Sequence, residues 1–181
     1  MLDLLITKNS QPHLRGLMEI HYSHPEGFVA RNICYAIFWN QQFYGYITGG
    51  SATKYLPKRN DYFGIDQSNL NNIINNQFFH IERHEGLYPI RNFVMGILAL
   101  WRDTVARDWE HKYGDKVIGF ETLVEPPRTG QSYLRDGWKY LAETKGYTCK
   151  RVAGRGTDSW SGKRVWNTKE LHPKLIFARK V

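Results

Sequence analysis

The sequence predicts a single domain of α/β class on three observations. The length of 181 residues matches one domain at about 100–200 residues each. A hydrophobic content of 41% against 23% charged residues describes a globular chain able to bury a sizeable core. The apolar pattern also changes period along the chain, from β-branched and aromatic runs to one long stripe at spacings of three and four.

The elements follow in order. Residues 2–7 (LDLLIT) read as a short strand. Ser10 is placed to cap, and Pro12 to open, a helix running to about Tyr22. Residues 33–39 (ICYAIFW) and 43–48 (FYGYIT) flank Asn40-Gln41-Gln42 and read as a hairpin. The run Gly49-Gly50-Ser51-Ala52-Thr53-Lys54 reads as a loop, and without G-K-[ST] it is not a Walker loop. Residues 69–76 (NLNNIINN) read as polar and irregular, with one helical turn before a strand at 77–83 (QFFHIER).

Residues 89–112 carry the strongest helical signal. Ile90, Phe93, Val94, Ile97, Leu98, Trp101, Val105 and Trp109 form an apolar stripe, and Tyr113-Gly114 ends it. A strand at 117–124 (VIGFETLV) is broken by Pro126-Pro127, and a short helix at 131–136 is stopped by Gly137. Strands at 138–144 and 174–179 close the order, separated by a Gly/Ser/Lys/Arg loop at about 146–173.

The charge pattern narrows the function. The net charge is +8, yet residues 1–138 are neutral overall, so the whole excess sits in residues 139–181. A basic block interleaved with Tyr147, Trp160 and Trp166 is the footprint of a nucleic-acid partner. Arg151, Arg155, Lys163 and Arg164 are its candidate phosphate contacts, with Trp160 and Trp166 as stacking surface. The longest apolar run, residues 93–101, is far short of the ~20 residues of a membrane span, so no membrane partner is expected. The N-terminus lacks a secretory pattern, and Cys34 and Cys149 make no disulfide framework or metal motif. A cytoplasmic setting is expected.

Residues 132–138 (SYLRDGW), followed by KYLAET, resemble the F-Y-x-x-x-G-[FW] helix-to-strand segment of the GCN5-related N-acetyltransferase superfamily. The order of elements is similar to that of the same fold, and the resemblance implies its mixed β-sheet flanked by helices. In that superfamily the tyrosine faces the acyl-donor sulfur and protonates the departing thiolate, a role the resemblance gives to Tyr133. A phenol of pKa near 10 is a competent acid toward such a leaving group.

His21-Tyr22-Ser23 resembles the H-Y-S element of the Mom-type DNA modification proteins of bacteriophages. Residues 118–125, Thr129-Gly130, Tyr133 and Gly137-Trp138 are similar to the same family, and the likeness runs from about residue 21 to 146. It implies conversion of adenine in double-stranded DNA to an N6-carbamoylmethyl derivative, in a host cytoplasm, protecting phage DNA from restriction. It also implies site roles for His21, Tyr22, Ser23, Arg83 and Glu125. Met95 stands where the family has an early helix serine. The superfamily's [RQ]-x-x-G-x-[GA] phosphate signature is missing, with Glu85-Gly86-Leu87-Tyr88-Pro89 in its place. The donor is therefore left open as an acyl or glycyl donor, acetyl-CoA included.

Glu121 and Glu125, four residues apart on one strand, share a face and are the candidate bases for a weakly nucleophilic amine, Glu125 first. Arg83 falls on the opposite strand face from His80, Glu82 and His84, and a buried arginine there needs Glu121 or Glu125 as partner. His21 and His24, with Glu19 and Glu26, have the composition of a non-haem iron site, and iron-associated Mom-type proteins keep that candidate in view. Tyr44 or Tyr46 is the candidate platform for an extruded base. Two rival readings stand beside this one: an acyltransferase on an RNA, small-molecule or protein amine, and a non-catalytic nucleic-acid-binding protein. The oligomeric state, a homodimer included, is left open.

Overall fold

A computed structural model describes residues 1–21, 28, 30–152, 163–167 and 171–181, with the backbone alone for 148–152 and 163–167. In chain order the elements are β1 (Leu2–Thr7), α1 (Pro12–Ile20), β2 (Asn32–Trp39), β3 (Gln42–Ser51), α2 (Arg59–Phe63), β4 (Ile73–Ile81) and α3 (Phe93–Tyr113). Then come β5 (Gly119–Val124), α4 (Gln131–Arg135), β6 (Lys139–Glu143), β7 (Thr148–Val152), β8 (Lys163–Asn167) and β9 (Leu175–Lys180). Seven strands form one mixed sheet in the order β1-β2-β3-β4-β5-β9-β6, and β7 and β8 pair separately. Every neighbour in the large sheet is antiparallel except β4 and β5, which run parallel. The predicted mixed sheet flanked by helices is the architecture observed.

Two apolar stripes explain the layering. On α1, Leu14, Leu17 and Met18 recur at three and four and pack on Cys34, Ala36, Tyr46 and Phe78 of one sheet face. On α3, Phe93, Ile97, Leu98, Trp101, Val105 and Trp109 cover the other face and form the larger core. Gly114 ends α3 in the left-handed region, its N–H on the Glu110 carbonyl. Against this helix Gly49 is a contact residue: a Cβ there would lie 2.8 Å from Val105 and 2.9 Å from Ile74.

Several expectations are corrected. Gly49, Gly50 and Ser51 continue β3 instead of opening a loop. The N-cap of α1 is Gln11, with no side-chain cap, and the helix stops at Ile20. The polar run at 69–76 divides into a 3-10 turn (Gln67–Asn72) and the buried start of β4, because the hydrogen-bonding Asn side chains conceal a strand pattern. β4 ends at Ile81, so Glu82, Arg83 and His84 lie beyond it and share no strand face. The region between β6 and β9 holds the β7–β8 pair, and α2 adds a helix between β3 and β4 that no sequence expectation covers.

One irregularity positions the site. Thr48 pairs with Phe78, yet its neighbour Gly49 pairs with Asn76, leaving Gln77 as an extra residue in β4. This bulge switches the alternation of side chains between the two faces. Ile74 before it packs toward α3, Phe78 beyond it packs toward α1, and Phe79 and Ile81 return to the α3 core.

Candidate active site

Parallel pairing of β4 and β5 lasts three positions, Ile73–Gly119, Ile74–Phe120 and Asn75–Glu121. β4 then runs on to Ile81 and β5 to Val124 without pairing, so the sheet splits toward the carboxyl ends of both strands. The gap is a cleft of about 590 Å³, inside the size range of ligand sites. His21 and His80 line it on the α1 side, and Phe79, Tyr88, Val94 and Tyr133 on the α3 and α4 side.

Tyr133 is 9% exposed, and its hydroxyl donates to Asn76 Oδ1 at 2.6 Å. The Asn76 amide is held in turn, donating to the Thr48 carbonyl at 3.2 Å and the Phe78 carbonyl at 3.4 Å. The carboxamide oxygen thus has one orientation, and the phenol is aimed by a fixed acceptor. The ring stacks on Phe177 and meets Trp138 edge-on. Below it, Asp136 binds Arg102 of α3 and the Trp138 indole N–H, locking the five-residue α4 to the core. The Asn-rich run conceals Asn76 in the sequence; its signal is a polar residue inside a strand whose neighbours are buried.

The other predicted residues are dispersed. His21 caps the C-terminus of α1, 7% exposed, its ring 4.7 Å from Phe78 and 6.0 Å from His80. His80 stacks on Phe78, and burial holds its imidazole below the ordinary histidine range while Glu82 pulls the other way. Arg83 is exposed at the cleft, its guanidinium 4.8 Å over the Tyr88 ring. It therefore pairs with neither Glu121 nor Glu125, contrary to the sequence expectation.

Glu121 is fully buried on the opposite face from α3. It pairs with the buried guanidinium of Arg59 and accepts from the Thr53 N–H at 2.6 Å. Burial pushes its carboxyl up, and Arg59 and Thr53 oppose that shift. Arg59 also donates to the Thr53 carbonyl at 2.9 Å and to Asn60 Oδ1 at 2.7 Å. The group serves as a latch between α2 and the sheet, sealed from the cleft. Glu125 lies just past β5, half-buried, 3.2 Å from Lys174 Nζ, and flanks the cleft without lining it.

Tyr44 and Tyr46, the candidate stacking platforms, are 5% and 3% exposed and belong to the two cores, so neither presents a ring face. Tyr22, Ser23, His24, Arg155 and Trp160 lie outside the described residues. Arg151 is on β7, and Lys163, Arg164 and Trp166 are on β8. That pair of strands leaves the sheet where the Thr144 N–H meets the Lys174 carbonyl, beside the β5 end at Val124 and Leu175. The basic insertion therefore departs at the end of the sheet where the cleft opens.

Among the described residues no group of three His, Cys, Asp or Glu side chains is placed to hold a metal ion, so the iron candidate gains no support. No described helix is long and apolar enough to cross a membrane.

No protein-family model and no curated protein sequence matches the chain. Solved structures do. A Bacillus subtilis acetyltransferase in complex with CoA aligns over 100% of this chain and 99% of its own, with a TM-score of 0.57 at 9% identity. The ribosomal L7/L12 α-N-protein acetyltransferase RimL covers 99% of this chain and 93% of its own, at a TM-score of 0.54 and 14% identity. A GNAT family acetyltransferase from Elizabethkingia anophelis with acetyl-CoA bound covers 99% and 98%, at 0.51 and 12%. At such identities the likeness is one of fold, and the fold is that of the GCN5-related N-acetyltransferases.

Proposed function

We propose that this chain is a group transferase that joins an activated acyl-type carbon to the exocyclic N6 amine of adenine in DNA. The observation that carries the reading is the Tyr133 phenol, pinned by Asn76 in a cleft between splayed strands that is lined from both faces of the sheet. A two-sided gap admits a donor from one face and an amine from the other, which is what a direct transfer needs. The DNA assignment draws on the His21-Tyr22-Ser23 resemblance and on a basic insertion that leaves the sheet beside that cleft.

The donor side suits a coenzyme A thioester, a group that supplies an acyl carbon activated by a sulfur leaving atom. The unpaired edges of β4 and β5 offer backbone partners to an extended amide-bearing arm. The first turn of α3 has no side-chain cap and no acidic residue, and Arg83 and Arg91 precede it, a setting for phosphate. The missing glycines are replaced by a tight turn at Glu85-Gly86, where both residues have positive φ and His84 bridges to Leu87.

In the transfer, the amine nitrogen forms a bond to the donor carbon as the bond from that carbon to the leaving atom breaks. Tyr133 releases its hydroxyl proton from Asn76 Oδ1 to the leaving atom. Asn76 keeps the phenol oriented until then, and Phe79, Val94 and Val124 keep that part of the cleft apolar. A proton leaves the new nitrogen to a base on the α1 side, where burial favours the neutral form of His80.

Mass spectrometry of nucleosides from cells expressing the chain tests the reading. A new adenine derivative that disappears with Tyr133→Phe is the expected result. Unmodified DNA together with thioester-dependent acylation of a peptide or small amine assigns the fold's chemistry to another acceptor.

A further inference from the structure

The short helix α2 carries two residues, three apart and so on neighbouring sides of the helix, to different partners. Arg59 points into the sheet to its buried carboxylate, whereas Tyr62 lies under two lysines from distant parts of the sequence. Lys139 Nζ is 5.8 Å and Lys180 Nζ 5.3 Å from the Tyr62 ring centroid. Strand register explains the meeting. Glu121, Ala178 and Lys139 form one row across β5, β9 and β6, and Lys180 lies two residues beyond Ala178 on the same face. That face is the one covered by α2, whose Phe63 ring rests over Gly119, where any Cβ would displace it.

Among the described residues the charge here has no ion-pair partner: none of Lys58, Lys139 and Lys180 forms an ion pair. Lys58, the N-cap of α2 in the left-handed region, adds an exposed cation at the start of the helix, and the Tyr62 N–H rests on its carbonyl. The helix's one carboxylate, Asp61, is one residue before the ring, a step of about 100° around the axis. Lys54 and Tyr55 continue the surface, Tyr55 at 81% exposure. Converging ammonium groups on an aromatic face, without an ion-pair partner, form a site for an anion that also tolerates a flat apolar contact.

We propose that Tyr62, with Lys58, Lys139 and Lys180, is a docking surface for the phosphate backbone of duplex DNA, separate from the β7–β8 insertion. It rests on the reading that DNA enters the cleft from the face where His21 and His80 stand, which is also the α2 face. From Gly119, under α2, to Val124, at the cleft, is five strand steps or about 17 Å. That is half of the roughly 34 Å turn of a duplex, so the surface meets phosphates about five base pairs from the adenine in the cleft. Two lysines of the basic C-terminal block thus act from the body of the protein.

The test uses the full chain, a fluorescein-labelled 24-base-pair duplex, and fluorescence anisotropy between 50 and 200 mM NaCl. Lys139→Gln/Lys180→Gln is expected to weaken binding at least tenfold at the lowest salt. It should also flatten the slope of log K against log salt by about 2, near 0.9 for each phosphate no longer neutralised. Each single substitution should give about half that slope change. A variant with the affinity and slope of the wild type overturns the surface, as does a wild-type chain that binds no duplex. Lysine-dependent binding to phosphatidylserine vesicles without duplex binding overturns it in favour of a bilayer. Lysine-dependent duplex binding with no modified adenine removes the proposed reaction and leaves the surface standing.

Discussion

Glu121→Gln separates a structural carboxylate from a catalytic one. The substituted amide still accepts from the Thr53 N–H, so the loss falls on Arg59, whose guanidinium stays fully buried without its counter-charge. Removing one partner of a buried pair costs about 3–5 kcal/mol, a fifth or more of the roughly 5–15 kcal/mol stability of an ordinary domain. At a urea slope near 2 kcal/mol/M the unfolding midpoint should fall by about 2 M. The melting temperature should drop by about 10 °C or more. Adding Arg59→Met removes the stranded charge and should recover about half of the loss, so the two substitutions are far from additive in a double-mutant cycle. Urea unfolding followed by far-UV circular dichroism reads both quantities. Additive losses, or a Glu121→Gln protein as stable as the wild type, refute the latch. Activity lost without stability lost would return Glu121 to the role of base.

Three further outcomes follow from the same geometry. Tyr133→Phe strands the buried Asn76 oxygen, so it should destabilise by about 1–3 kcal/mol in thermal melts and slow the proposed transfer by about 10²–10⁴ in kcat. Burial lowers the His80 pKa, so the fold favours the neutral ring; the penalty is absent above the unfolded value near pH 6.5 and grows as pH falls through it. Urea midpoints at pH 7.5 and pH 5 should therefore diverge less in His80→Phe, which keeps the stack on Phe78, than in the wild type. Gly49→Ala forces a methyl against Val105 and Ile74 and should cost about 1–3 kcal/mol by thermal denaturation, whereas Gly16→Ala, with open space around it, should not.

The legible parts of the chain are those governed by one period at a time. The α3 stripe from Phe93 to Trp109 and the aromatic hairpin of β2 and β3 face single cores, so their spacing alone reveals them. β4 is hard to read because its centre, Asn75-Asn76-Gln77, combines polar residues with a bulge that reverses the alternation. Spacing gives Arg83 the buried role that belongs to Arg59, since it cannot tell which arginine a distant loop carries to Glu121. Of the candidate site, Tyr133 and His21 are legible through resemblance. Asn76 and His80 take their positions from strand register that no local pattern encodes.

The three-position seam between β4 and β5 has a mechanical meaning. β1 to β4 form one hydrogen-bonded unit and β5, β9 and β6 another, so the cleft is a notch at the root of a hinge. The Arg59–Glu121 pair and the Asn76 contacts with Thr122 and Tyr133 bridge that hinge from its two faces. Widening the notch for a large substrate loads these bonds together with the α3 core that packs on both halves. Amide exchange at Ile74 and Phe120 should therefore report on both unfolding and access. Substitutions that tighten the seam should stabilise the protein and narrow the range of substrates it admits.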